Sequence, residues 1–270
     1  MPAEIRPIWK PCGVVTLTSD FGFDDPYVGI MKGVLLSQEP GLALVDLTHS
    51  VPPQDVRAAA FFLERSWSWF PPGSVHVAVV DPGVGSQRAI LAAFDRGHAF
   101  LAPDNGLLSG LLSASADVRV LSLERFSLPR RSRTFHGRDV FAPAAARIAA
   151  GLSAEEVGPA AATWLRIERP RAAREGPDRV RGEVLFADRF GNLVTNIEAG
   201  DLGDPPHAWR ALAGGREIPV GSTYSDVPPG GLLALVDSFD CWELAERGGS
   251  AARSLGLGPG SQVVFRRPSA

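Results

Sequence analysis

Apolar residues in the first half of the chain follow two alternating patterns. Short runs rich in β-branched residues predict buried strands, whereas longer stretches with one apolar face predict amphipathic helices. The predicted strands are residues 14–18, 42–47, 75–80, 89–94, 99–101 and 118–121. The predicted helices are residues 26–37, 56–69, 105–112 and 139–150. Because strands and helices alternate, this half predicts a layered α/β domain with a central, mostly parallel sheet.

The pattern changes in the second half of the chain. Residues 166–181 are crowded with arginine, proline and acidic residues, which indicates a linker or an exposed hairpin. Beyond them, strand-like runs are separated by glycine, proline and aspartate turns, and lie at residues 182–186, 193–197, 232–236 and 262–265. This spacing predicts a smaller antiparallel β-barrel or sandwich. We therefore predict an N-terminal α/β domain at 1–165, a connection at 166–181 and a C-terminal β-barrel domain at 182–270.

Composition narrows the class of protein. The 270 residues are 45% hydrophobic, which is enough for a core, and the formal net charge is -3. No basic surface is available to meet nucleic acid or an anionic membrane. Cys12 and Cys241 lie far apart in no metal or redox spacing, which favours a reducing compartment. With no apolar signal segment in residues 1–10, we expect a cytoplasmic protein.

Polar clusters stand where the apolar runs of the first half stop. They are residues 19–22 (SDFG), 81–85 (DPGVG) with Arg88, 103–106 (PDNG) and 135–139 (FHGRD). In open α/β sheets, ligands bind beyond the carboxyl ends of the strands. Carboxylates, glycines, an arginine and a histidine gathered at such ends predict a small-molecule site.

Asp81 and Arg88 are the first candidates for chemistry. Gly83 and Gly85 allow the backbone to fold tightly, so an arginine seven residues later can return to the aspartate. An ordinary turn, with a capping aspartate and a solvated arginine, explains the same spacing. The lysine and hydroxyl of a phosphate-binding loop are missing from this segment.

His136 and Asp20 are the next candidates. Gly137 leaves the ring of His136 accessible, although lone histidines are more often structural. No histidine or cysteine stands near it at metal-ligand spacing, so we expect neither a metal nor a cofactor. Asp20, followed by Asp24 and Asp25, is placed to accept the hydroxyls of a ribose. The alternative is a capping network for the helix that starts near residue 26.

The C-terminal half offers a weaker cluster. Phe190 could stack on a flat base while Asn192 reads its edge through an amide. Asp188 lies beside them, and Ser238 follows the predicted strand at 232–236. From its pattern alone, the first cluster is better explained by an ordinary hairpin turn with glycine and asparagine.

Taken together, these strings resemble the S-adenosylmethionine hydroxide adenosyltransferase family, relatives of enzymes that halogenate S-adenosylmethionine at its 5′ carbon. The matching strings are residues 16–22 (TLTSDFG), 26–29 (PYVG), 47–49 (LTH), 52–53 (PP), 80–85 (VDPGVG), 103–106 (PDNG), 135–139 (FHGRD), 141–143 (FAP), 190–192 (FGN) and 195–196 (TN). Each string is weak alone, but they occur in family order across nearly the whole chain.

The resemblance implies a fold, an assembly and a reaction. It implies an N-terminal α/β domain, a C-terminal β-barrel and a homotrimer with active sites between neighbouring subunits. The expected reaction converts S-adenosylmethionine and water to adenosine and methionine. The residues that it implies are Asp81, Arg88 and His136 for activating water, Asp20 for the ribose, Asp25, Asp188 and Ser238 near the methionine end, and Phe190 and Asn192 for adenine.

Two other functions are kept as alternatives. A halogenase acts on the same substrate, but a halide nucleophile has no use for a base. A sensor that binds S-adenosylmethionine or adenosine without turnover is the alternative from another class. The chain departs from the family at Asp237, where an asparagine is common, and at Gln54, where the halogenating relatives carry tryptophan.

Overall fold

The computed structural model describes residues 9–129, 132–203 and 206–267, and these residues divide into two compact units with the boundary between Glu168 and Arg169. The strands of the N-terminal unit are β1 (Val14–Ser19), β2 (Ala43–Thr48), β3 (Val75–Val79), β4 (Ile90–Asp95), β5 (His98–Pro103) and β6 (Asp117–Val120). Its helices are α1 (Tyr27–Gln38), α2 (Val56–Ser66), α3 (Leu123–Phe126), α4 (Ala142–Ala149) and α5 (Ala154–Val157).

The six strands form one sheet in the order β2-β1-β3-β5-β4-β6. The pairings along β2-β1-β3-β5 are parallel, and β4 runs antiparallel to both of its neighbours. Side chains of β3 alternate between the two faces: Val77 packs in a core with α1 and α4, whereas Ala78 packs in a core with α2. The predicted α/β domain with a mostly parallel sheet is confirmed.

The helix predicted at residues 105–112 is wrong, because this segment forms a series of turns. Gly106 has a φ of +92°, which lies outside the helical region. The side-chain amide of Asn105 donates to the carbonyl of Val80 at 2.8 Å and fixes the segment to the end of β3. The helix predicted at 139–150 is present as a π-helical turn, Gly137–Phe141, that runs into α4.

The C-terminal unit is built almost entirely of strands. They are β7 (Ala173–Gly176), β8 (Arg179–Ala187), β9 (Leu193–Glu198), β10 (Arg210–Ala213), β11 (Arg216–Pro219), β12 (Leu232–Val236), β13 (Cys241–Glu246) and β14 (Gln262–Arg266). The unit also contains two short α-helices, α6 (Ala199–Leu202) and α7 (Ala251–Leu255). The predicted connection at 166–181 thus contains β7, which pairs antiparallel with the first residues of β8.

These strands form an antiparallel sheet in the order β11-β10-β14-β8-β9-β13-β12, with β7 beside β8. The outer strands β11 and β12 approach each other through a bridge between Val220 and Ala234, so the sheet is nearly closed. The predicted β-barrel is therefore confirmed, although the sequence pattern missed β10, β11 and β13. Among the described helices of the chain, none is long and apolar enough to cross a membrane.

Candidate active site

A pocket of about 400 Å³ opens in the N-terminal unit at the carboxyl ends of β1 and β3. These two strands are parallel neighbours, so the residues that follow them meet at the same edge of the sheet. The pocket brings together three candidates from separate strings, Asp20, Asp81 and His136. Phe21, Tyr27 and Phe135 add an aromatic wall, in which the rings of Tyr27 and Phe135 meet edge to face at 5.1 Å.

Asp81 and Arg88 form a bidentate ion pair. The Nε of Arg88 donates to Oδ1 of Asp81 at 2.8 Å, and Nη2 donates to Oδ2. The turn between them packs closely against the segment before His136, because a Cβ on Gly85, whose φ is +79°, would lie 2.4 Å from the carbonyl oxygen of Arg133. The alternative of a solvated arginine is therefore wrong, since the side chain of Arg88 is only 10% exposed and is paired with Asp81.

His136 extends this ion pair to the pocket. Its Nδ1 lies 3.2 Å from Nη2 of Arg88, which gives a contact chain from Asp81 through Arg88 to the imidazole. A guanidinium can only donate hydrogen bonds, so this contact assigns the acceptor role to Nδ1. The ring is buried apart from the side that lines the pocket. We call Asp81, Arg88 and His136 the Arg88 triad.

The π-helical turn that follows His136 is fixed by Asp139. This buried carboxylate accepts hydrogen bonds from Arg138 and, at 2.6 Å, from the backbone N–H of Ser132. Burial alone would raise the pKa of Asp139, but these hydrogen bonds and the charge of Arg138 leave that pKa lowered. Gly137 lies in close packing, because a Cβ there would lie 2.9 Å from the sulfur of Met31, which would have to shift.

Asp20 lies in the pocket and accepts a hydrogen bond from the backbone N–H of Gln54 at 2.8 Å. Gln54 itself has a φ of +64°, an uncommon conformation for a residue with a side chain. The alternative of a helix cap is wrong, since α1 begins after Pro26 with no side-chain cap and no acidic residue in its first turn. Asp25 is exposed and is not among the residues that line the pocket.

Asp188, Phe190 and Asn192 lie in the turn between β8 and β9 of the C-terminal unit. Asp188 accepts hydrogen bonds from the backbone N–H groups of Phe190 and Asn192, and from the side-chain amide of Asn192 at 3.0 Å. The turn expected from the pattern is therefore present. The ring of Phe190 is 77% exposed, so its face is available for stacking. The ligand-binding roles of the three residues stay predictions.

Ser238 is exposed in the turn between β12 and β13. Its neighbour Asp237 shapes this turn, because Oδ1 of Asp237 accepts hydrogen bonds from the N–H groups of Phe239 and Cys241 at 2.8 and 2.9 Å. An asparagine oxygen accepts such bonds in the same way, so the departure at Asp237 keeps the turn and changes its charge.

Glu243, in the middle of β13, is a buried acid that the sequence pattern did not single out. Its Oε1 accepts a hydrogen bond from the hydroxyl of Tyr224 at 2.7 Å. Burial, joined by the charges of Asp237 and Asp188, raises the pKa of Glu243 to about 7. An acid within a run of otherwise apolar residues would have been the only sequence signal.

Metal binding is not indicated by the described residues, among which no three histidine, cysteine, aspartate or glutamate side chains are grouped to hold an ion. Among the pocket residues that were not candidates from the sequence are three aromatic ones, Phe21, Tyr27 and Phe135. Tyr27 and Phe135 each lie next to a predicted string or within one, so proximity to the strand ends is the signal that could have found them.

Comparisons with known proteins match both units of the chain to one family. Residues 15–158 match the family described as SAM hydroxide adenosyltransferase N-terminal domain, and residues 182–264 match the corresponding C-terminal domain. The chain is 42% identical over 258 residues to an (R)-S-adenosyl-L-methionine hydrolase of Thermus thermophilus, covering 92% of this chain and 98% of the relative. It is 30% identical to a fluorinase of Actinoplanes, with 75% of each chain covered.

A solved structure gives the same result for the fold. The crystal structure of an uncharacterized conserved protein from Thermotoga maritima superposes with a TM-score of 0.86 and is 32% identical. The match covers 94% of this chain and 100% of the Thermotoga chain.

Proposed function

We propose that this chain, which belongs to the SAM hydroxide adenosyltransferase family, is an S-adenosyl-L-methionine hydrolase that forms adenosine and L-methionine. The observation that carries the mechanism is the Arg88 triad, whose histidine lines the same pocket as Asp20. The relatives named as hydrolases are more similar to this chain than those named as fluorinases. A triad of acid, arginine and histidine suits a nucleophile that must lose a proton, and a halide has none to lose.

The reaction is an in-line displacement at the 5′ carbon. The oxygen of water forms a bond to this carbon while the bond to sulfur breaks, and the electron pair stays on sulfur. The leaving group is a neutral thioether, so it needs no general acid, and we propose that the enzyme works without a cofactor. The difficult step is the nucleophile, because bulk water has a pKa of about 15.7.

The Arg88 triad supplies a place for this nucleophile. A water that takes the place of the direct contact between Nη2 of Arg88 and Nδ1 of His136 can accept a hydrogen bond from the guanidinium and donate one to Nδ1. As the new bond forms, the water's proton moves to Nδ1, and the cationic guanidinium stabilises the developing hydroxide. Asp81 holds Arg88 in place through both hydrogen bonds of the ion pair and offsets the positive charge of the guanidinium. The proton then passes to solvent.

The remaining candidates are proposed to hold the substrate. Asp20 accepts the ribose hydroxyls, Phe190 stacks on adenine and Asn192 reads its edge. Asp25, Asp188 and Ser238 belong to the methionine end. The support is the exposed face of Phe190 and the carboxylate of Asp20 in the pocket. We propose a homotrimer with active sites between neighbouring subunits, and size-exclusion chromatography with light scattering tests this assembly.

A cytoplasmic location is part of the same proposal. Its support is that both cysteines, Cys12 and Cys241, are free thiols, as is usual in a reducing compartment.

The decisive experiment uses S-adenosylmethionine and isotopically labelled water, with the products analysed by mass spectrometry. Adenosine carrying the label at its 5′ oxygen, together with methionine, is the expected result. A parallel incubation with added fluoride or chloride tests the halogenase, which would form a halogenated nucleoside. Saturable binding with intact substrate would instead identify a sensor and overturn the hydrolase.

A further inference from the structure

A second histidine network lies beneath the pocket. Nδ1 of His49 is 2.7 Å from the hydroxyl of Ser19 at the end of β1, and Nε2 is 3.0 Å from Oδ1 of Asp46 in β2. The other oxygen of Asp46 forms an ion pair with Lys32 at 2.5 Å. We call Ser19, His49 and Asp46 the His49 relay.

The partners of the relay fix the direction of each hydrogen bond. Burial alone would raise the pKa of Asp46, but the hydrogen bonds from Lys32 and His49 leave it lowered, so Asp46 is a carboxylate that only accepts. Nε2 of His49 must then carry a proton. Burial lowers the pKa of His49, which keeps the ring neutral and leaves Nδ1 to accept from the hydroxyl of Ser19.

The chain of hydrogen bonds continues into the loop that lines the pocket. The hydroxyl of Ser19 accepts from the backbone N–H of Phe21 at 3.3 Å, and the carbonyl of His49 accepts from the N–H of Gly22 at 2.8 Å. The loop after β1 and the loop after β2 are thereby joined at His49. They are joined again where the N–H of Gln54 meets Asp20.

The relay has the residue types of a serine hydrolase triad, but its serine and histidine are not accessible to a substrate. Ser19 and His49 are buried, and neither lines the pocket. The hydroxyl of Ser19 already donates to His49 and accepts from Phe21, so it is held in place and cannot reach a substrate. Its position between strand and loop makes it an anchor.

We propose that the His49 relay positions Asp20 and Phe21 at the pocket, and so sets the affinity for the ribose of the substrate. Without the relay the loop would lose one of its attachments and keep those at Gly22 and Gln54, while the Arg88 triad, which rests on β3 and the π-helical turn, would stay intact. The ribose part of this inference rests on the proposed function, whereas the positioning of the loop does not.

A matched pair of variants on β1 tests the relay. Thr16 bonds Nδ1 of another buried histidine, His76, at 2.8 Å, but contacts no part of the pocket lining by hydrogen bond. Ser19→Ala and Thr16→Val each remove one hydroxyl that a buried histidine uses. We expect Ser19→Ala to raise KM for S-adenosylmethionine roughly tenfold, with kcat within about threefold of the unmodified chain. Thr16→Val is expected to leave both parameters unchanged.

Amide hydrogen exchange tests the same positioning without turnover. In the chain without ligand, Ser19→Ala is expected to speed exchange at Phe21, Gly22 and Gln54 by roughly tenfold, whereas Thr16→Val is not. Asp46→Ala, at a partly exposed position, is expected to act in the same direction to a smaller extent. Equal exchange in both β1 variants would overturn the relay. Faster exchange in Ser19→Ala together with an absence of turnover would refute the hydrolase and leave the positioning role standing.

Discussion

The N-terminal unit holds two histidine networks of similar composition and different surroundings. In the Arg88 triad, His136 faces a cation and lines the pocket, with 6% of its surface exposed. In the His49 relay, His49 lies between a hydroxyl and a carboxylate, and only 1% of its surface is exposed. Residue types alone would favour the second network for catalysis, because it has the serine, histidine and aspartate of a hydrolase.

The difference between the two networks is access to the pocket, which His136 lines and His49 does not, and for this reason we propose the chemistry for the Arg88 triad. The Nδ1 of His136 faces a guanidinium at the pocket edge, where water can replace or bridge the contact. Both nitrogens of His49 are committed to hydrogen bonds with Ser19 and Asp46, so this ring cannot take a proton from a substrate. One network is therefore suited to proton transfer and the other to holding a loop.

Replacing His136 should produce the largest effect. We expect His136→Ala to lower kcat by roughly 10²–10⁴-fold, the usual contribution of general acid–base catalysis, while KM changes by less than about threefold. Changes in the His49 relay act on KM instead, so steady-state kinetics of both variants gives opposite patterns. His207→Ala, at an exposed histidine, is the control and should leave both parameters unchanged. Turnover within a few-fold of the unmodified chain would rule out His136 as the proton acceptor.

Replacing Arg88 tests how far the triad supports the fold. The side chains of Arg88 and Asp81 are 10% and 5% exposed, so Arg88→Ala leaves a buried carboxylate without its cation. We expect a loss of about 3–5 kcal/mol in the free energy of unfolding. The control is Arg119, which pairs with Asp117 through the same bidentate geometry. The side chains of Arg119 and Asp117 are more exposed, at 17% and 21%. Arg119→Ala should cost about 1 kcal/mol or less.

Calorimetric unfolding of the full chain measures both arginine variants. Similar losses in the free energy of unfolding would show that burial does not distinguish the two ion pairs. They would contradict the role of Arg88 in stabilising the fold. A loss confined to Arg88→Ala would show that the group proposed to stabilise hydroxide also holds together the strand ends around the pocket.

The contact between Asp81 and Arg88 was one of two interpretations of their spacing, and only the resemblance to the family joined His136 to them, whereas no part of the sequence predicted the His49 relay. Asp81 and Arg88 are seven residues apart in a turn rich in glycine, and Asp81 follows a strand whose end is visible in the apolar pattern. Ser19 and His49 are thirty residues apart, and their contact depends on how β1 pairs with β2. That pairing shifts register between Leu17 and Thr18, just before Ser19, and no residue pattern reveals such a shift.

The strands of the barrel were also predicted only in part from the sequence. Four of its strands were predicted from apolar runs, but β10 and β11 have only four residues each and are joined by Gly214 and Gly215, so they resemble a turn region. β13 was missed because Glu243 interrupts its apolar residues. A charged residue on a buried strand breaks the pattern of apolar residues that predicts the strand. Only the packing around Glu243 explains why it lies there.

Glu243 extends the comparison to an acid whose hydrogen-bond partner is the neutral Tyr224. Burial and the charges of Asp237 and Asp188 raise its pKa from 4.5 to about 7, so the folded chain binds this proton more tightly than the unfolded chain. Its contribution to stability is complete below pH 4.5 and is lost as the pH rises through 7. The shift corresponds to about 3 kcal/mol. Glu243→Gln keeps an acceptor for Tyr224 and cannot ionise.

We therefore expect Glu243→Gln to be more stable than the unmodified chain at pH 8 and to lose this advantage by pH 5. The melting temperature of both chains, measured across this range, gives the comparison, and Glu217→Gln at an exposed position of the same unit is the control. Parallel curves for all three chains would mean that Glu243 is already ionised in the fold. A buried acid beside Asp188 would then carry full charge, and the methionine end of the proposed site would be more negative than the structure indicates.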